Sequence, residues 1–191
     1  MYSVKTKGSD ILALRPEFTP GIFRAYLEHG LSHQPQPIKL FTIGPVFRAE
    51  QPQAGRLRQF NQIDFEIISP ENDPIYDAQV IITAYRILEE LKIKCLSIQI
   101  NTIGCRTCRP NYRRALTAYF RAHEKEICRD CRRRLLVNPL RLLDCKKSTC
   151  QPLKENAPIT LDYLCSACKH HFKGVLEYLE DLKLPYVLSN S

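Results

Sequence analysis

Apolar and polar positions alternate through LFTIGPVFRAE (residues 40–50) and again through QFNQIDFEII (59–68), with QPQAGRLR between them. Alternation sends successive side chains to opposite faces of a strand. Two such runs around a loop holding a Pro and a Gly predict an antiparallel hairpin. In the second strand Phe60, Gln62, Asp64 and Glu66 fall on one face, and Ile63, Phe65 and Ile67 on the other. In the first, Arg48 and Glu50 share a face with Phe47 on the reverse, while Arg56 and Arg58 sit in the loop. The expectation is a packed apolar face and a polar face that meets either a ligand or water.

Around this hairpin the periodicity changes. ILALRP predicts an entry strand ended by Pro16. Thr19 then Pro20 reads as an N-cap followed by Pro at the first helical position. Ile22, Phe23, Tyr26 and Leu27 recur at helical spacing up to a stop near Gly30. Asp73-Pro74 opens a second helix whose stripe is Ile75, Ala78, Ile81, Ile82, Tyr85, Leu88 and Leu91. CLSIQINTI alternates through Leu96, Ile98 and Ile100, so it predicts a strand with Cys95 as a core residue. Residues 1–104 therefore read as an α+β domain, an antiparallel sheet with flanking helices. Residues 105–183 read as mainly helical, at 111–125, 128–137 and 161–183, and a short strand, YVLS, returns in 184–191.

Cysteines mark that second region: eight fall in 64 residues from Cys105 to Cys168. Cys105-x2-Cys108 precedes Cys128-x2-Cys131 by 19 residues, and Cys145-x4-Cys150 precedes Cys165-x2-Cys168 by 14. Two close pairs brought together tetrahedrally make a four-thiolate zinc site, and this spacing suits structural Zn2+. Four pairs allow two sites, with the partnering of pairs undecided. A single site with leftover thiols, or His170 or His171 in place of a thiolate, is also open. A disulfide framework or merely packed thiols are the competing readings. Neither set leaves an open coordination position, so the metal reads as a staple for a small domain with little core of its own.

Charge sharpens the division. Of the 28 Lys+Arg and 20 Asp+Glu behind the net +8, residues 1–104 carry eleven of each, and residues 105–183 carry seventeen against nine. The densest run is RDCRRRLL at 129–136. A basic region is an electrostatic footprint for nucleic acid, or else a solvated helix face. Two four-thiolate zinc centres, each of formal charge −2, would lower the excess without abolishing it. No apolar run approaches the ~20 residues that span a bilayer, and MYSVKTKGSD has no apolar signal region. The expectation is a cytoplasmic, reducing location with no membrane partner.

The hairpin's polar face suits a nucleotide. Arg48 can pair bidentately with phosphate or carboxylate, Phe60 can stack on a base, and Glu50 can hold a Mg2+ ion bridging phosphates. Glu17 and Thr19, at the strand-to-helix junction, either face a ligand's ammonium group or serve the helix start alone. GPVFRAE followed by GRLRQFNQIDFE resembles motif 2 of class II aminoacyl-tRNA synthetases, specifically of histidyl-tRNA synthetases. ALRPEFTPG (13–21) resembles that family's amino-acid-binding segment, and NPLRLLDCK (138–146) a segment of its insertion domain. The resemblance runs through nearly the whole chain, in order.

It implies a partial class II catalytic core at 1–104, an insertion domain at 105–183 and a returning core strand at 184–191. It implies a ligase that activates histidine with ATP and Mg2+ and transfers it to tRNA(His). Arg48 would be catalytic, binding the α-phosphate and the reacting carboxylate. Glu50 would support ATP and its magnesium, Arg56 would hold the distal phosphates, and Phe60 would stack on adenine. Glu17, Thr19 and Gln62 would hold the histidine amino group, and Glu66 its imidazole. The metal set from the spacing is Cys105, Cys108, Cys128, Cys131, Cys145, Cys150, Cys165 and Cys168. Phe18 stands where the family has Gly, which would narrow the pocket. Set against the family, the chain starts after the dimerising motif 1 and stops before the second histidine motif, motif 3 and the anticodon-binding domain. It would thus be a piece of a longer homodimeric enzyme, incomplete for catalysis. Other readings are a non-catalytic zinc-stapled RNA-binding module, which leaves the hairpin unexplained, and a regulatory subunit of ATP phosphoribosyltransferase, which lacks the insertion.

Overall fold

A computed structural model of the chain describes residues 1–189 and has α+β architecture, with six helices and six strands. The chain divides into two units, residues 1–72 and 73–191. The last two residues of the expected 184–191 segment lie outside the described ones.

The first unit is built on the hairpin. Strands β1 (Ser3–Lys5) and β2 (Ile11–Ala13) pair with each other antiparallel. Helix α1 (Thr19–Glu28) leads to β3 (Ile38–Phe47) and β4 (Gln59–Ile68), antiparallel over ten residues each. Arg48 lies one residue past β3, but its N–H still donates to the Arg58 carbonyl at 2.8 Å. The loop closes tightly at Gln53 and Arg56.

Two expectations for this unit are corrected. Thr19 does not cap α1: Phe18 holds the N-cap position, and no side chain caps the helix. The hairpin is also packed on the face expected to be open. Phe18, Ile22 and Val46 form a buried cluster with Leu40, Phe60 and Ile68, all on the face that carries Gln62, Asp64 and Glu66. On the reverse face Phe41, Ile43 and Ile63 stay exposed, Phe41 to 70 %. The reason lies in the ends of the polar row. Phe60 and Ile68 bracket the three polar residues of β4, and β3 adds Leu40 opposite Glu66 and Val46 opposite Phe60. This face therefore offers apolar contact to α1 at both ends and leaves polar groups between.

The second unit starts with α2 (Pro74–Glu90). Asp73 caps it as expected, its carboxylate accepting from the Ile75 N–H at 2.9 Å, with Pro74 in the first turn. Strand β5 (Ile98–Ile100) is shorter than its alternating run, and Cys95 is exposed in the preceding turn at φ 60°, not in a core. Helices α3 (Cys108–Ala122), α4 (Arg129–Val137) and α5 (Gln151–Glu155) follow, then α6 (Ser166–Asp181) and β6 (Tyr186–Leu188). Strand β6 returns alongside β5, in parallel. The described strands thus form three two-stranded sheets, two of them antiparallel, instead of one antiparallel sheet.

This unit has two cores. One gathers Ala78 of α2, Ile100 of β5, Val175 and Leu179 of α6, and Leu184. The other lies within residues 112–157 and includes Tyr112, Leu116, Phe120, Ile127, Leu135 and Leu142. Helix α6 belongs to the first core, so it packs on α2 from before residue 104. Gly174 makes that approach possible, since a Cβ there would stand 2.8 Å from Pro74 Cγ.

Candidate functional site

Arg48 organises the hairpin site. Its Nε donates to the Pro16 carbonyl at 3.0 Å, which ties the end of β3 to the segment ahead of α1. Its Nη2 donates to Gln62 Oε1 at 3.1 Å, and its guanidinium lies 5.0 Å from the Phe60 ring centroid. Three residues singled out from sequence are therefore in direct contact. Phe60 thus meets the cation with its ring while also packing against the Phe18, Ile22 and Val46 cluster.

The polar row continues along β4. Thr19 Oγ1 donates to Asp64 Oδ2 at 3.5 Å, a long contact from α1 to the hairpin. Asp64 was not assigned a role from sequence, although its place between Gln62 and Glu66 on one face was the available signal. The side chain of Glu66, half-buried opposite Leu40, has no hydrogen bond or ion pair among the described residues, and neither has that of exposed Glu17. Gly44 lies opposite Gln62, where a Cβ would come within 3.3 Å of Phe18 Cζ. Phe18 is 8 % exposed and packs with Ile22 and Val46, so its ring serves the core beneath α1. Arg15 was also missed: its Nε donates to the Pro45 carbonyl at 2.9 Å and its guanidinium lies 5.2 Å from the Phe18 ring centroid.

At the loop, Glu50 and Arg56 form an exposed ion pair at 3.2 Å, and Arg58 Nε donates to the Glu50 carbonyl at 3.3 Å. Exposed pairs of this kind are worth about 0–1 kcal/mol. A phosphate can therefore take Arg56 from Glu50 at little cost, and freeing Glu50 exposes a carboxylate of the type that suits Mg2+.

The chain belongs to the class II tRNA synthetases. The model of the tRNA synthetase class II core domain (G, H, P, S and T) matches residues 2–163. The histidine–tRNA ligase of Symbiobacterium thermophilum is 45% identical over 190 residues, and that of Dehalococcoides mccartyi 48% over 186. Each alignment takes in 97% of this chain and 44% of the relative, so the chain spans under half the length of those relatives. The apo histidyl-tRNA synthetase of S. aureus superposes with a TM-score of 0.74 at 35% identity, covering 100% of this chain and 44% of that one. A Bacillus halodurans protein described as an ATP phosphoribosyltransferase regulatory subunit/histidyl-tRNA synthetase reaches a TM-score of 0.54 at 17% identity, which shows the shared fold alone.

The cysteines of this class II chain form two four-sulfur clusters that can hold a metal ion. Cys105, Cys108, Cys165 and Cys168 make one, and Cys128, Cys131, Cys145 and Cys150 the other. In each, all sulfurs lie within 4.8 Å of one another, and all nine cysteines of the chain are free thiols. The pairing is nested, which spacing alone left open. Sulfurs on a tetrahedron with Zn–S of about 2.3 Å stand about 3.8 Å apart. Cys105 to Cys108 is 3.5 Å, Cys105 to Cys165 is 4.0 Å, and Cys128 to Cys145 is 4.0 Å. Neither His170 nor His171 joins a cluster; His171 Nε2 lies 3.7 Å from Asp77 instead.

Local backbone geometry places these sulfurs. Cys165 is extended, φ −71° and ψ 165°, which points its N–H at Cys108 Sγ, 3.1 Å away. That is why α6 starts at Ser166 and not at 161. Gly104 occupies φ +64°, and a Cβ there would lie 2.8 Å from Cys108 Cβ and 3.1 Å from Leu164. Backbone N–H donors from Cys108 and Thr107 bring the Cys105 thiol down to about 6. At Cys128 burial works upward, but hydrogen bonds from Cys131, Cys150 and Cys145 together outweigh it and hold the thiol at about 7. Burial, then the neighbouring sulfurs, pushes Cys168 up to about 12 and raises Cys131 and Cys150 as well. In the outer cluster the Cys165 thiol is lowered as well, chiefly by the Cys168 backbone N–H. Each cluster thus favours ionising some thiols and resists ionising others, a conflict that a divalent cation removes.

The arginine run is only partly free for a partner. Arg132 donates to the carbonyls of Ile127 and Lys125, and Arg134 to that of Arg141, so both tie down their own surroundings. Arg129 and Arg133 have no such contact among the described residues. No helix of the described residues is long and apolar enough to cross a membrane.

Proposed function

We propose that this chain supplies the histidine- and ATP-binding half-site of a histidine–tRNA ligase, with residues 105–183 as its insertion domain and 184–191 returning to the core. The observation that carries the reading is the contact set of Arg48, Phe60 and Gln62, on a chain 45–48% identical to histidine–tRNA ligases. In the reaction, the histidine carboxylate attacks the α-phosphorus of ATP and displaces pyrophosphate. The terminal ribose hydroxyl of tRNA(His) then attacks the histidyl carbonyl and releases AMP. Such steps are catalysed mainly by positioning and by stabilising developing charge.

Arg48 is the catalytic group, bridging the α-phosphate and the carboxylate. Phe60 stacks on adenine, Arg56 takes the distal phosphates, and Glu50 supports ATP and its Mg2+. Glu17, Thr19 and Gln62 receive the α-amino group. Glu66 accepts from the imidazole, a buried polar pairing that an isostere without that N–H leaves unmade. Magnesium, when bound, neutralises phosphate charge during the displacement. Two structural Zn2+ ions in the four-sulfur clusters staple the insertion domain, whose basic surface meets the tRNA acceptor stem through phosphates. The working enzyme is placed in the cytoplasm as a homodimer.

Isothermal titration with histidine, with ATP–Mg2+ and with a non-cognate amino acid tests the reading. Selective histidine binding supports a working half-site. Equal response to both amino acids overturns the specificity assigned to Glu66.

A further inference from the structure

The second unit contains a cleft of about 970 Å³ that the hairpin chemistry does not use. Its walls are the start of α3, the residues just ahead of it, and the 3₁₀ turn Pro139–Leu142. Arg109 and Arg113, one helical turn apart on α3, share the lining with Arg141 of the turn. Two of these guanidiniums are held by backbone carbonyls: Arg109 Nε donates to Gly104 at 3.4 Å, and Arg113 Nη2 to Val137 at 3.2 Å. Among the described residues none of the three has an ion-pair partner. Asp144 is the acid in the lining, so the cleft carries two formal positive charges in excess.

Tyr112, 3% exposed, also lines the cleft, and its hydroxyl makes no hydrogen bond. The Thr160 side chain lies close enough to act on that hydroxyl as a hydrogen-bonding neighbour, but short of the geometry of a full bond. A buried hydroxyl without a partner is unfavourable, and in native proteins it marks a place for a water, an ion or a ligand. Exposed Ile103, Val137 and Leu140 add apolar surface to the same cleft. The combination excludes a bare inorganic anion, which would fill neither the volume nor the apolar surface.

We propose that this cleft binds a nucleoside phosphate. The phosphate sits on Arg109, Arg113 and Arg141, the base or ribose lies against Val137 and Leu140, and the Tyr112 hydroxyl meets a polar edge of the base. Guanidinium groups match phosphate oxygens, and the exposed apolar side chains beside them favour a ring over an acidic peptide side chain. The nucleotide is either a unit of single-stranded RNA or a free mononucleotide. For the RNA source the proposal deepens the ligase reading and rests on it.

The test uses the whole chain carrying Arg48→Ala, which silences the hairpin. A fluorescein-labelled single-stranded RNA of ten mixed nucleotides is followed by anisotropy, and the four ribonucleoside 5′-monophosphates by titration calorimetry. RNA binding should persist in this background and fall at least about tenfold on adding Arg113→Gln with Arg141→Gln. The slope of log affinity against log salt should flatten by about 0.7 for each arginine lost. Tyr112→Phe should weaken binding several-fold while the melting temperature holds or rises, because an unpartnered buried hydroxyl is removed. Mononucleotide binding with the same arginine dependence assigns the site to a free nucleotide, and RNA binding alone assigns it to a strand. The proposal is overturned if the arginine variants or Tyr112→Phe bind normally, if hexaglutamate competes as well as RNA, or if Arg48→Ala abolishes all binding. In the chain with Arg48 intact, failure of histidine and ATP binding with the cleft still active would instead count against the ligase reading.

Discussion

The guanidinium of Arg48 lies 5.0 Å from the centre of the Phe60 ring while its Nη2 reaches Gln62. One cation is thus fixed by an aromatic face, a side-chain amide and, through Nε, the Pro16 carbonyl. A group held at three points loses little freedom on meeting a ligand. Arg48→Ala should weaken ATP–Mg2+ binding about 10- to 100-fold, the size of a charge-assisted hydrogen bond of ~1.5–3 kcal/mol. Arg48→Lys should recover little, because an ammonium cannot reproduce the fork. Calorimetric titration checks both, and an unchanged affinity in Arg48→Ala would contradict its role.

Glu66 has no partner among the described residues, although it is half-buried in the polar row. Its carboxylate is therefore available to a ligand N–H. Glu66→Ala should reduce histidine affinity by about 10-fold or more, again the scale of a hydrogen bond to a charged group. ATP binding should barely change. Equal losses for both ligands would remove Glu66 from the amino-acid site.

Nested sulfur clusters make the metal content of paired variants predictable. Elemental analysis of protein purified in metal-free buffer should find two zinc ions per chain. Cys105→Ser with Cys165→Ser touches one cluster and should leave one ion. Cys105→Ser with Cys145→Ser touches both and should leave none. An ion retained in the second variant would mean that the pairs are joined differently.

Gly104 serves the outer cluster through its backbone. Ala there meets both the positive φ and Cys108 Cβ at 2.8 Å. Strain of ~1–3 kcal/mol for such a conformation corresponds to a drop in Tm of about 3–10 °C for a chain of this size. One zinc ion should be lost with it, while the inner cluster keeps its own. Calorimetric melting combined with metal analysis decides the matter; a variant that melts normally with two ions would show that the turn adapts.

Local chemistry was legible where it acts over a few residues. Asp73-Pro74 announced a helix start that the Asp73 carboxylate indeed caps, and the ten-residue ladder of Ile38–Phe47 with Gln59–Ile68 followed its alternation. Thr19 carried the same kind of signal and did otherwise. Its hydroxyl turns to Asp64, 45 residues away, a partner that helix-start chemistry cannot see. Cys95 likewise followed an alternating pattern, but the strand begins only at Ile98.

By itself, then, the sequence determined the hairpin, the helices, the four cysteine pairs and, through its motifs, the synthetase family, because periodicity, capping and spacing are properties of neighbouring residues. Tertiary structure alone decided which face of the hairpin α1 covers, which cysteine pairs meet, and that Arg48 rests on Phe60. Each of those outcomes depends on where distant segments come together. That is set by the packing of Phe18 under α1 and of α6 on α2 through Gly174, and no local pattern encodes it.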